Sequence, residues 1–198
     1  MARLLPDWIE LDTHDGAAWL GIVPFVLTGL RIRGLPPLPR VSTFPELNVR
    51  TYVVRDGRPG IWFLSLDAGS RWFVEAAKRL YRIPYRLAQM SSMREDDGVR
   101  YDSSRPGGSF SARYQGVGPL FRAAPGSLEE FLTERYCLYT EDRGRPASAD
   151  IHHAPWDLQQ GEAKIELNTM SPVALPAEPP HVLFSPRQDT VVWPLEPL

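Results

Sequence analysis

The sequence has one cysteine, Cys137, which excludes an intramolecular disulfide and any cysteine-rich zinc module. It has two lysines, Lys78 and Lys164, so any lysine nucleophile must be one of these. Neither sign of charge is in excess: 22 Lys+Arg face 24 Asp+Glu, for a net charge of -2. No broad basic field is therefore present to hold nucleic acid or an anionic membrane. Long apolar runs are missing too. The most apolar window, Gly16 to Leu30, contains Pro24 and is flanked by Asp15 and Arg31; its 15 residues fall short of a membrane helix, which needs roughly 20. It reads as a buried strand. Met1 to Asp7 carries one basic residue and no leader-like apolar core, so the default location is the cytoplasm. Nucleotide-binding and hydrolase signatures are absent: there is no P-loop, no G-x-G-x-x-G and no G-x-S-x-G.

The 20 prolines keep helices few and short. Strand patterns dominate instead. Trp8 to Thr13 alternates and ends at a turn, His14-Asp15-Gly16. Ala18 to Phe25 is continuously apolar, as in a strand buried on both sides. Gly34 to Pro39 reads as an extended proline-rich loop. Glu46 to Arg55 and Gly60 to Ala68 flank a turn at Asp56-Gly57-Arg58-Pro59-Gly60 and predict a hairpin. Ser70 to Arg82 is a helix capped by Ser70, with Trp72, Ala76, Leu80, Phe73, Ala77 and Tyr81 as its apolar face. Tyr85 to Met93, Val99 to Arg105 and Ser109 to Gln115 are three further strands. Ser127 to Arg135 is a short helix with a capping box from Ser127 to Glu130. Tyr136 to Thr140, Lys164 to Asn168, His181 to Ser185 and Val191 to Trp193 complete the set. With no repeat or linker, residues 1–198 read as one domain. Two helices and eight to ten short strands imply an α+β, β-rich fold with a curled or closed sheet.

Alternation places Glu46, Asn48, Arg50 and Tyr52 on one face of their strand, and Leu47, Val49, Thr51 and Val53 on the other. In the next strand Ser65 and Asp67 share a face. The polar row has two readings. It faces water on a half-buried sheet, or it lines a cavity able to take a carboxylate or carbonyl compound. Arg31 and Arg33 share a face and form either a solvated edge or an anion clamp at a cavity mouth, and Arg100 and Arg105 carry the same ambiguity. His152 and His153 point to opposite faces, and no metal-ligand spacing is present. Cys137 lies in an apolar strand and reads as core. No metal or cofactor is expected.

Several blocks together resemble a known family. They are Val23-Pro24-Phe25 with Gly29-Leu30-Arg31, Leu35 to Pro39, Thr43 to Val53 (TFPELNVRTYV), Phe63 to Ala68, Pro84-Tyr85, Leu132 to Tyr136 (LTERY) and His153 to Trp156 (HAPW). The chain resembles the YqjF-like bacterial proteins, a family of unknown function similar in fold to acetoacetate decarboxylase. The resemblance implies a closed or nearly closed antiparallel β-barrel with two or three short helices and a central cavity, which turns the Glu46 row inward. Decarboxylases of that fold use a lysine imine, but Tyr85 and Arg86 stand where the two family lysines are expected, so imine chemistry is not expected here. Glu46 matches the glutamate of the decarboxylase pocket. Lys78 and Lys164 read as surface lysines. Family members usually have a further aromatic-rich segment before the position matching Leu4-Leu5-Pro6, where this sequence begins; either the start is misplaced or an element covering one barrel end is missing.

The expected site takes Glu46 and Tyr85 as catalytic groups, with Arg31, Asn48, Arg50, Tyr52, Ser65, Asp67 and Arg86 around the ligand. Three functions remain open. The first is a module that binds a small carboxylate or carbonyl compound. The second is an enzyme, lyase-like on a small organic acid, with Glu46 or Asp67 as acid/base, Arg50 on the carboxylate and Tyr85 on the oxyanion. The third is a structural or partner-binding domain without a cavity. The expected partner is a small molecule, not nucleic acid or membrane, and homo-oligomerisation is left open.

Overall fold

A computed structural model describes residues 1–31, 42–80 and 83–198. The proline-rich loop at 34–39, Arg33 and residues 81–82 of the expected helix lie outside the described residues. After a 3-10 turn at Ala2–Leu4 come β1 (Glu10–Leu11), β2 (Thr13–His14), β3 (Ala17–Ala18) and β4 (Leu20–Leu27). The long hairpin is β5 (Phe44–Arg55) and β6 (Arg58–Ala68), followed by α1 (Arg71–Leu80). Then come β7 (Tyr85–Leu87), β8 (Gln89–Glu95), β9 (Gly98–Arg105), β10 (Gly108–Phe121) and α2 (Leu128–Thr133). The chain ends with β11 (Cys137–Asp142), β12 (Arg145–His153), β13 (Leu158–Asn168), β14 (Leu183–Phe184), β15 (Thr190–Val192) and β16 (Glu196–Pro197).

The strands form two main sheets. One has nine strands along the path β1-β5-β6-β11-β12-β15, with β4 on β5, β7 on β6 and β16 on β12; the other has five, β14-β13-β10-β9-β8. Neither described sheet returns to its first strand, so among the described residues the strands form two open sheets, and the expected closed or nearly closed barrel is not seen as one closed sheet. The pairing is not wholly antiparallel either, because β6 pairs with β7 and β11 in parallel. The chain changes sheets at Ala88, which splits the expected strand Tyr85 to Met93 into β7 and β8.

Local chemistry explains most elements. The β5–β6 turn is tighter than expected: Arg55 pairs with Arg58 across Asp56 (φ 50) and Gly57 (φ 74). Consecutive left-handed residues make the turn whose twist suits a hairpin, and aspartate-glycine is the pair that tolerates it. β4, expected to be covered on both sides, lies beside β5 alone among the described strands and is half-buried. An apolar run does not distinguish a central strand from an edge. Pro24 fits the edge, because there its missing N–H costs no ladder bond.

Ser70 caps α1 as expected, its hydroxyl accepting from Phe73 N at 3.3 Å. The apolar face is shifted, however. Val74 and Ala77 are buried and Phe73 packs on Phe44 and Tyr85, whereas Trp72 is 77% exposed. In α2 the Ser127 hydroxyl accepts from Glu130 N at 3.2 Å, and the Glu130 carboxylate accepts from Gly126 N at 2.6 Å. Replacing Ser127 with alanine is expected to cost about 1 kcal/mol in urea unfolding. β12 is a strand that alternation did not single out, since its Arg-Pro-Ala-Ser-Ala-Asp start carries little strand propensity.

Both faces of β5 and β6 are covered. On one, Leu47 and Val49 pack with Tyr101, Phe110, Ala112 and Met170, joining the two sheets. On the other, Tyr52, Ile61 and Leu66 pack with Ile83, Leu138 and Ala149, flanked by Phe131 and Leu132 of α2.

Candidate functional site

The row expected on β5 turns into the protein. Glu46 is 4% exposed, Asn48 and Tyr52 are buried, and Arg50 is half-buried. Tyr85 reaches the same face through strand register. Asn48 pairs with Leu66 on β6, and Leu66 pairs with Tyr85 on β7. The Tyr85 hydroxyl donates to Glu46 Oε1 at 3.3 Å, and its ring meets Phe73 edge-on.

Burial pushes the Glu46 carboxyl up to about 8, against the opposing hydrogen bond from Tyr85. At neutral pH the group is therefore chiefly a carboxylic acid, able to donate as well as accept. Its Oε2 has no partner among the described residues, and neither do Asn48 Oδ1, Arg50 Nε and Trp19 Nε1. Buried polar atoms are seldom left in that condition, so the three on one side of β5, from Glu46, Asn48 and Arg50, mark the row out.

Arg50 is partly committed. Its Nη2 donates to the Leu132 carbonyl at 2.9 Å, and its guanidinium lies 5.6 Å from the Tyr52 ring centre. A Cβ on Gly21, across the ladder from Arg50, would stand 3.1 Å from the Tyr52 hydroxyl and 3.3 Å from Arg50 Cγ. The row is packed at this end rather than hollow. Two open hollows of about 550 and 420 Å³ lie elsewhere, and neither is lined by Glu46, Asn48 or Arg50. Neither of these two hollows is the central cavity expected at the row. Trp19, Phe63 and Phe131, packed around Tyr52 and Leu66, occupy that side of the sheet.

The remaining expected residues separate from the row. Leu47 pairs with Asp67, and Val49 with Ser65, so both polar residues face the layer between the sheets. There Arg105 Nε donates to both Asp67 oxygens, at 2.8 and 2.6 Å, with the two side chains 5% and 0% exposed. Burial pushes the Asp67 carboxyl up, and Arg105 and then Arg86 pull against it. Ser65 Oγ and Ser103 Oγ are buried without partners among the described residues. Arg86 is exposed and in register with Asp67, turned away from Glu46 by the alternation that brings Tyr85 toward it. Arg31 is exposed beyond the end of β4. The single expected site is thus two: Glu46, Asn48, Arg50, Tyr52 and Tyr85 on one face, and Ser65, Asp67 and Arg86 on the other. Alternation groups residues within a strand, but only the register between strands says which groups meet.

Sequence reasoning missed three supporting residues. Tyr101, fully buried, donates its hydroxyl to the Glu46 carbonyl at 2.7 Å and so fixes the backbone beneath the acid. Arg135 donates to Asp12 Oδ2 and to the Phe131 carbonyl, both at 2.6 Å, with its guanidinium 5.3 Å from the Tyr52 ring centre. Arg105 is the third, known from sequence only as an arginine of uncertain face. A usable signal existed for Arg135, which lies inside the LTERY block. That block meets HAPW in space: Glu134 accepts from Trp156 N at 3.0 Å, and His153 stacks on Tyr136.

Lys78 is exposed, 3.8 Å from Glu75, and Lys164 is exposed on β13; neither reaches the Glu46 row. Cys137 is buried, and burial pushes its thiol up. Among the described residues no group of three His, Cys, Asp or Glu side chains converges as a metal-ligand set, and no helix is long and apolar enough to cross a membrane.

Comparison with known proteins places this geometry. The chain is 43% identical over 201 residues to the uncharacterized protein YqjF of Bacillus subtilis (strain 168), covering 98% of this chain and 83% of that protein. Among solved structures it resembles an acetoacetate decarboxylase-like enzyme from Sphingomonas wittichii RW1, with a TM-score of 0.61 at 14% identity over 99% of this chain and 84% of the other. It also resembles acetoacetate decarboxylase from Legionella pneumophila, with a TM-score of 0.59 at 12% identity over 99% and 78%. At such identities the likeness is one of fold. The family model for DUF2071, described as an uncharacterized conserved protein, matches residues 1–189. The chain belongs to the DUF2071 family, and its β-rich α+β fold is that of the acetoacetate decarboxylase-like proteins.

Proposed function

We propose that this protein binds a small carboxylate or carbonyl compound against the Glu46 row and does so without a lysine imine. The observation that carries the reading is the buried Glu46 carboxyl, held by Tyr85 at one oxygen, with its other oxygen, Asn48 Oδ1 and Arg50 Nε unspent among the described residues. A neutral carboxylic acid donates a hydrogen bond to a carbonyl oxygen, and a guanidinium N–H makes a charge-assisted bond to a carboxylate. If turnover accompanies binding, it is lyase-like. Glu46 then moves the proton and Tyr85 donates to the developing oxyanion. The likeness to acetoacetate decarboxylase supports the ligand class by analogy of fold only. The resemblance matches Tyr85 and Arg86 to the family lysines, and Lys78 and Lys164 are exposed away from the row; both points support binding without a lysine imine.

A second reading is a partner-binding domain whose buried polar row is structural. One observation favours it: the two hollows lie away from Glu46. Thermal unfolding with pyruvate and with acetoacetate separates the two. Ligand binding raises the melting temperature with concentration by mass action. The binding reading expects that rise in the wild type and its loss in Glu46→Gln. No rise with either acid, or an equal rise in Glu46→Gln and Arg50→Ala, favours the structural reading. Borohydride treatment with either acid is expected to leave Lys78 and Lys164 unmodified by mass spectrometry; an adduct on either would reinstate the imine.

A further inference from the structure

We propose a second binding site on the opposite face of the sheet, where Arg105 and Arg86 seat an oxyanion, the phosphate or carboxylate group of a small ligand. The groove of about 550 Å³ is walled by Leu87, Ala88 and Gln89 on one side and by Ser104, Arg105 and Pro106 on the other. It lies where the chain passes from the nine-stranded to the five-stranded sheet, at Ala88.

Arg105 is prepared for such a role. Its Nε is fixed on both Asp67 oxygens at 2.8 and 2.6 Å, and its Nη1 donates to the Pro106 carbonyl at 3.2 Å. Its Nη2 donates to no described residue. A guanidinium is a rigid fork of five donors, so fixing one end aims the other. Asp67 cancels the charge of Arg105 and spends its own oxygens there, which makes the place unsuited to a cation. Arg86 then supplies the net positive charge. It is exposed, stands in register with Asp67, immediately precedes the groove wall at Leu87, and has no carboxylate within ion-pair distance among the described residues. Gln89 and Ser104 add neutral donors at the rim. Positive charge, a pre-aimed fork and neutral donors together match phosphate or carboxylate oxygens. This site shares no residue with the Glu46 row, so it stands or falls separately.

The test is thermal unfolding and calorimetry with inorganic phosphate and with succinate, each against potassium chloride at equal ionic strength. Arg105 variants lose the clamp on Asp67, so the exposed Arg86 carries the comparison. Either anion is expected to stabilise the wild type more than chloride does. Arg86→Ala is expected to weaken that binding by about tenfold or more, as loss of a charge-assisted hydrogen bond does. Arg86→Lys should retain most of it, and Glu46→Gln should leave it unchanged. A response to phosphate alone assigns a phosphorylated ligand, and one to succinate alone assigns a carboxylate. The proposal is overturned if neither anion exceeds chloride, if Arg86→Ala responds as the wild type does, or if the response disappears in Glu46→Gln.

Discussion

Replacing Asp67 with alanine is expected to destabilise the protein by about 3–5 kcal/mol, because it leaves the Arg105 guanidinium buried without its counter-ion. The two side chains are 0% and 5% exposed, so solvent does little to screen the loss. The effect comes from leaving one charge behind rather than from any large net gain in the pair. Exchanging both members, Asp67→Leu with Arg105→Met, is therefore expected to recover most of the stability, since apolar residues of similar volume replace buried pairs at little cost. Urea unfolding of the two single variants and the double variant checks this. A single variant that loses less than about 1 kcal/mol would place the pair in the range of solvent-screened surface bridges. The pair also joins β6 of one sheet to β9 of the other, so its loss is expected to loosen the groove beside Ala88.

The second large effect concerns pH. The Glu46 carboxyl, ordinarily near 4.5, is pushed up to about 8 by burial. Below pH 4.5 the group is protonated in both folded and unfolded chains, and its contribution is fully present. Between 4.5 and about 8 the unfolded chain releases the proton while the folded chain holds it, so stability falls as pH rises. Above about 8 both forms are ionised and the loss is complete. At about 1.4 kcal/mol per pKa unit, the whole swing is on the order of 5 kcal/mol. Glu46→Gln removes the ionisable group while keeping its shape, so the fall in stability across this window is expected to flatten. A variant as pH-sensitive as the wild type from pH 5 to 8 would mean that Glu46 is not the source.

The sequence was informative about this fold wherever one strand or one turn decided the outcome. Aspartate-glycine at 56–57 announced the hairpin, and Ser70 and Ser127 announced two helix starts. The alternation from Glu46 to Tyr52 named a face that is buried. It was silent where two strands had to be placed relative to each other. Nothing in Ser65 or Asp67 tells that the ladder sets them against Val49 and Leu47 rather than beside Glu46. A bulge reinforces the point. Val49 pairs with Ser65 and Arg50 with Phe63, so Leu64 is an inserted residue, and alternation counted along β6 changes phase there. The same limit explains the barrel. A run of short strands implies a curled sheet, but the change of sheets at Ala88 and the open edge at β4 are long-range facts. Trp72 shows a different failure, because a large aromatic was counted into an apolar helix face when the packed stripe is Phe73, Val74 and Ala77.

The most direct test of the account is the titration of the Glu46 side chain itself, followed by carboxyl carbon NMR with Glu46→Gln identifying the signal. The expected midpoint is about 8, with a lower value in Tyr85→Phe ruled out because the hydroxyl it removes favours the ionised form. A midpoint near the ordinary 4.5 would mean that the carboxyl meets water, and the buried, partly unpaired polar row would cease to be a candidate site.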